Sequence, residues 1–83
     1  MPPGESLREQ VRRRLANKEL FLIRSRAQAE RGSGSACAVC AVVISTSRIQ
    51  YTVRELGSSM ATHLGCYLVW RQESEAARLR GGR

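Results

Sequence analysis

The 83-residue sequence is poor in aromatic residues, with only Phe21, Tyr51, Tyr67 and Trp70, and it holds a single histidine, a single lysine and two prolines. Four rings can furnish a small core, but not the deep cofactor cleft that larger enzymes form between domains. No apolar run approaches the roughly 20 residues a membrane-spanning helix needs. The opening Met1-Pro-Pro-Gly-Glu5 lacks the charged-then-apolar layout of a secretory signal, so a cytoplasmic protein without a membrane partner is the expectation. A chain this short buries only about 60–65% of its unfolded surface. Its core is therefore marginal unless something staples it.

What the sequence does have is positive charge: 14 basic residues against seven acidic, a net charge of +7. That balance points to an anionic partner such as nucleic acid. Thirteen of the 14 are arginine, alongside nine alanines and seven glycines, a bias that GC-rich codons also produce. Acidic residues are interspersed, so no segment is a pure basic block.

Residues 1–5 read as a disordered lead-in. Ser6-Leu7-Arg8-Glu9 has the form of a helix-opening capping box, in which the Ser hydroxyl and the Glu carboxylate each accept from the other's backbone N–H. The helix it opens carries Leu7, Val11 and Leu15 as a narrow apolar stripe, with Asn17 as a left-handed stop. Leu20–Ile23 is a second apolar patch, and Arg24–Arg31 reads as helical or frayed, which makes 6–31 an N-terminal helical segment. Gly32-Ser-Gly-Ser and Ala36 form a flexible joint over 32–36. Residues 37–79 read as a separate module, with a disordered tail at 80–83.

Within that module, β-branched Ala41–Ile44 and the alternation of Ile49, Tyr51 and Val53 predict a short antiparallel hairpin turning near Ser45–Arg48. Gly57-Ser-Ser59 predicts a turn. From about Thr62 the period is helical, with Leu64, Tyr67 and Leu68 on one stripe and His63, Cys66 and Trp70 on another, as far as about Leu79. The fold class expected is a small α+β domain: N-terminal helix, hairpin, C-terminal helix.

Three cysteines cannot all pair as disulfides within one chain. The lone histidine turns them into four metal ligands in two pairs, Cys37-x-x-Cys40 and His63-x-x-Cys66. The x-x spacing aims both sulfurs of a tight turn at one point, and in the second pair one helical turn puts ring and thiol on the same face. Two other readings exist for such residues. Cysteines are often merely small buried hydrophobes, and a CxxC pair can be a redox centre. The latter needs a helix N-terminus to lower the thiol pKa, whereas Ala41–Ile44 reads as a strand. One structural zinc ion fits best, which makes 37–79 a zinc-binding module and the whole a small zinc-stabilised α+β domain of N-terminal helix, zinc knuckle, short antiparallel hairpin and C-terminal helix.

The pattern Cys-x2-Cys, 22 residues, His-x2-Cys resembles the first zinc module of LIM domains and, more broadly, treble-clef zinc fingers. The resemblance covers about residues 35–75. It implies that Cys37 and Cys40 are knuckle ligands and that His63 and Cys66 are ligands at the start of the helix. The chain has no second module, so the partner preferences of LIM domains do not transfer. The Cys-x-x-Cys, aromatic strand, His-x-x-Cys-Tyr order with a nearby Trp is also similar to small bacterial zinc-ribbon-like proteins that have no established activity.

Four good ligands close a zinc site, whereas catalytic zinc keeps an open position. No other base is at hand for Ser58 or Ser59, so neither an enzyme nor a small-molecule substrate is expected. Trp70, two turns from His63, is expected to roof the metal rather than stack on bases. Two noncatalytic roles remain. One is a protein-interaction adaptor whose Leu7, Val11 and Leu15 face packs on a partner or a second copy. The other is a nucleic-acid-binding finger whose contacts are Arg8, Arg12, Arg13, Arg71 and Arg78.

Overall fold

A computed structural model of the chain describes residues 6–55 and 57–81; the lead-in and Gly82-Arg83 lie outside them. The capping box forms as its spacing predicts: Glu9 N–H donates to Ser6 Oγ at 3.1 Å and Ser6 N–H donates to Glu9 Oε1 at 3.0 Å. It opens helix α1 (Leu7–Ala16). Asn17 is not left-handed; the positive φ falls one residue later, at Lys18 (61°). The next element is strand β1 (Gln28–Arg31), followed by β2 (Ile49–Glu55), β3 (Ser58–Thr62) and helix α2 (Leu64–Gly81). The three strands make one antiparallel sheet in the order β1-β2-β3. The α+β class and the strand through Ile49, Tyr51 and Val53 are as expected, but its partner strands are not those expected.

The hairpin lies one strand later than the β-branched run suggests. β2 pairs with β3, and Glu55 opposite Ser58 leaves a two-residue connection in which Gly57 takes φ +80°. Glycine adopts that conformation without Cβ strain. Ala41–Ile44 makes only a single bridge, Val43 with Ala36. The reason is the knuckle, which forces Ala41 to φ +68° and folds the run back locally through Cys37 N–H to Val42 O and Ile44 N–H to Ser35 O.

The expected helical or frayed stretch at 24–31 holds β1. Its sequence, Gln-Ala-Glu-Arg, has little strand propensity, so the free edge of β2 overrides local preference. Cross-strand polar pairs hold it: Thr52 Oγ1 donates to Glu30 Oε2 at 2.6 Å, and Arg54 bonds Gln28 and Glu30. The alternation holds for Val53, which is fully buried, and for Tyr51, which packs against the core, but the opposite face of β2 is covered too. Gln50 and Thr52 are buried under Ser33, while Ile49 is 55% exposed.

The Gly32–Ser35 stretch, expected to be a flexible joint, is instead tied down. Gly32 N–H donates to Arg48 O at 2.7 Å, and Ser33 bonds the Gln50 amide oxygen through both its N–H and its hydroxyl. Gly32 packs so tightly that a Cβ there would lie 2.0 Å from Ser45 O.

The Leu7–Val11–Leu15 stripe faces inward. Val11 is completely buried with Leu20, Ile23 and Trp70, and Leu7 and Leu15 pack against that cluster. This face belongs to the protein's own core, which corrects its reading as a partner-binding surface. On α2 the buried face is Cys66, Tyr67, Trp70, Glu73 and Ser74, and the Leu64 and Leu68 stripe is exposed. The helix also runs past Leu79 to Gly81, into the expected tail. Two hydrogen bonds fasten the 20–23 segment to α2: Trp70 Nε1–H to Phe21 O at 2.9 Å and Ile23 N–H to Ser74 Oγ at 3.1 Å. Among the described residues, no helix is long and apolar enough to cross a membrane.

Two glycine substitutions should act in opposite directions. Gly32→Ala is expected to destabilise the protein by about 1–3 kcal/mol or more, from overpacking against Ser45. Gly65→Ala, with no neighbouring atom within 4 Å, should stabilise α2 by up to about 1 kcal/mol. Thermal denaturation of the two variants beside the parent measures both; a harmless Gly32→Ala would contradict the packed joint.

Candidate metal centre

The knuckle is built by backbone bonds that aim two sulfurs the same way. Ala41 N–H donates to Cys37 O at 2.9 Å, and Val39 N–H points at Cys37 Sγ at 3.4 Å. Outside supports then lock the turn. Ala38 N–H donates to Ala61 O of β3 at 2.9 Å, and the Arg14 guanidinium spans the Ala38 and Val39 carbonyls at 2.9 and 2.8 Å. Arg14 thus satisfies the two residues between the cysteines. Sequence reasoning missed it, because nothing local marks one arginine in Arg12-Arg13-Arg14 as different.

The second pair is placed by the β3–α2 junction. His63 is the last residue before α2, and its carbonyl accepts from Tyr67 N–H at 2.9 Å. That sets Cys66 in the first turn of the helix, on the same side as the ring. Tyr51 of β2 stacks on Tyr67, centroids 6.1 Å apart, which fixes the helix start against the sheet.

The four donor atoms of Cys37, Cys40, His63 and Cys66 all lie within 4.8 Å of one another. Cys40 Sγ and His63 Nδ1 are 3.5 Å apart. Bond lengths of about 2.3 Å to sulfur and 2.05 Å to nitrogen give a tetrahedral edge of roughly 3.6 Å, so the spacing suits one tetrahedral ion with Nδ1 as the imidazole donor. Cys37 and Cys66 are buried, and all three cysteines are free thiols. A redox role has no support from local geometry, because the CxxC turn runs into the Ala41–Ile44 fold-back rather than a helix.

Burial pushes the Cys37 thiol up, but the amide hydrogens of Cys40, His63 and Val39 outweigh it and hold this group down at about 7. Cys66 is pushed well above the ordinary thiol range, first by burial and then by the negative charge of Cys37 and Cys40. A divalent cation at the centre removes that conflict.

The remaining predicted residues divide. Arg8 and Arg12 are turned onto Glu73, at 2.7 and 3.0 Å. The Glu73 side chain is only 4% exposed, and its carboxyl is held below the usual carboxylate range by the hydrogen bond from Arg12, against burial and with help from Arg8. These two arginines therefore join α1 to α2, which corrects their reading as free phosphate contacts. Arg13 is exposed on α1, and Arg71 and Arg78 are exposed on α2. Trp70 is fully buried with its ring against Phe21, a core residue as expected.

No family model, curated protein or solved structure matches this chain.

Metal binding should release protons. At pH 8 at least one proton is expected per ion, from Cys66. That number should rise as the pH falls through about 7 and Cys37 is also protonated beforehand. Affinity for Zn2+ should accordingly weaken toward acid pH. Calorimetric titration in buffers of different ionisation heat reads both; proton-neutral binding would contradict the assignment.

Proposed function

We propose that the chain is a noncatalytic module folded round one structural zinc ion, acting as a small interaction adaptor. The observation that carries this reading is the convergence of Cys37, Cys40, His63 and Cys66 on one tetrahedral volume. Three soft thiolates and an imidazole are the donor set that zinc favours. All four positions are filled by protein, so a bound ion would hold no water to activate, and the single imidazole is used as a ligand. The order of knuckle, β2–β3 hairpin and α2, with the second ligand pair at the helix start, supports a treble-clef arrangement like that of the first LIM module.

A module of this kind works through its surface. Val42 and Val43 beyond the knuckle, each 61% exposed, and Ile49 and Leu64, which share a shallow depression beside His63, offer apolar contacts to a protein partner. A nucleic-acid partner is the second reading. It is favoured by Arg71 and Arg78, which carry no ion pair among the described residues.

Zinc binding contributes on the order of 10 kcal/mol to folding in small domains, more than a core of this size supplies. Protein purified without added metal should show one zinc per chain by native mass spectrometry. A strong chelator should abolish most of the helical and strand circular dichroism, residues 37–79 unfolding with the core they share, and added Zn2+ should restore it. An unchanged spectrum after complete removal of the metal would defeat the reading.

A further inference from the structure

Arg71 and Arg78 do not stand alone. They lie two turns apart on α2 and line a cavity of about 250 Å³ with Arg24, Arg26 and Ser25 of the segment that crosses the helix. Glu75 is the one carboxylate in that lining. Four guanidinium groups against one carboxylate give the cleft a net charge of +3. None of the four has an ion-pair or hydrogen-bond partner for its side chain among the described residues. The next carboxylate, Glu55, feels the charge of Arg24 but is already taken up by the amides of Arg24 and Ser25 and the Ser25 hydroxyl.

Such convergence is costly unless something answers it. Like charges gathered in one concavity repel, and each guanidinium presents a planar fork suited to phosphate oxygens. Arg78, in the last turn of α2, has an ordinary reason to be there, since a cation complements the helix dipole. Arg71 in mid-helix, and Arg24 and Arg26 on the crossing segment, have no such reason. The arginines that serve the fold look different: Arg8, Arg12 and Arg14 are all engaged by Glu73 or by knuckle carbonyls.

We infer that this cleft is a binding site for the phosphodiester backbone of a nucleic acid, an inference that rests on the second reading above and gives it a location. Seven residues of helix separate Arg71 from Arg78, a rise of about 10 Å. Along the axis of a duplex that rise corresponds to about three base-pair steps at 3.4 Å each. With four guanidinium groups in the cleft and a net charge of +7 on the chain, a polyanion answers the charge better than a single phosphate group. Contacts of this kind hold the backbone and carry no sequence information.

The test is fluorescence anisotropy of the zinc-loaded full chain with a labelled 20-nucleotide single-stranded DNA and with its duplex, at 50 and 200 mM salt. Four phosphate contacts should weaken binding between the two salts by about 50-fold for the single strand and about 150-fold for the duplex. Arg71→Gln/Arg78→Gln should lower the logarithmic salt slope on duplex by about two. Arg24→Gln/Arg26→Gln should do the same, and it serves if the helix variant does not fold. Arg31→Gln/Arg48→Gln removes equal charge outside the cleft and should change the slope by less than one. Glu75→Gln should tighten binding severalfold.

Equal effects of the cleft and control pairs would overturn the site in favour of general net charge. So would full binding by both cleft variants, which would leave a nucleic-acid role intact elsewhere on the surface. Failure of the parent protein to bind either probe would overturn the role and the site together. Competition by polyglutamate or phosphatidylserine vesicles as strong as that by unlabelled DNA would assign the cleft to an acidic protein or a membrane instead.

Discussion

Three sulfurs and one imidazole nitrogen within 4.8 Å of one another cannot all carry their metal-binding charge state unless a cation lies between them. The thiols already show the conflict. The Cys37 thiol is held down at about 7 by amide hydrogens, while burial first, and then the negative charge of the neighbouring sulfurs, keeps the proton on Cys66. A divalent ion held there would turn that repulsion into attraction. It would also join two parts of the chain more than twenty residues apart, the knuckle and the first turn of α2.

The rest of the fold can be understood as support for that junction. Arg14 reaches from α1 to the knuckle carbonyls, Ala38 bonds the edge of β3, and Tyr51 stacks on Tyr67 at the head of α2. Away from the metal, α1 is held to α2 by Glu73 between Arg8 and Arg12, and the 20–23 segment by Trp70 and Ser74. The buried apolar set is small, and several of its members, among them Cys37, Val39 and Cys66, belong to the site or its loop. Core and metal centre are one structure. That follows from the length of the chain, which is too short to build a self-sufficient core beside a separate site.

What could be read directly from the residues was whatever depends on spacing alone. The ligand quartet and the capping box are local or countable patterns, and Trp70 in the core follows from helical phase. What could not be read depends on tertiary competition. Ala41–Ile44 has the composition of a strand, but closing the knuckle consumes its backbone bonds, so β3 takes the hairpin position. Gln28–Arg31 becomes a strand only because β2 offers an edge and side chains to pair with. Gly32–Ser35 has a linker's composition but is fixed by Arg48 and Gln50, and Gly32 is there because nothing larger fits. The arginines show the same limit. Thirteen of one residue type give no local clue to which clamp a turn, which bridge two helices and which line the cleft beside α2.

The most direct test of the central claim is zinc K-edge X-ray absorption on protein purified without added metal. The account predicts one four-coordinate zinc with three sulfur donors near 2.3 Å and one nitrogen donor near 2.0 Å. A shell dominated by oxygen or nitrogen donors, or one with more than four ligands, would contradict it.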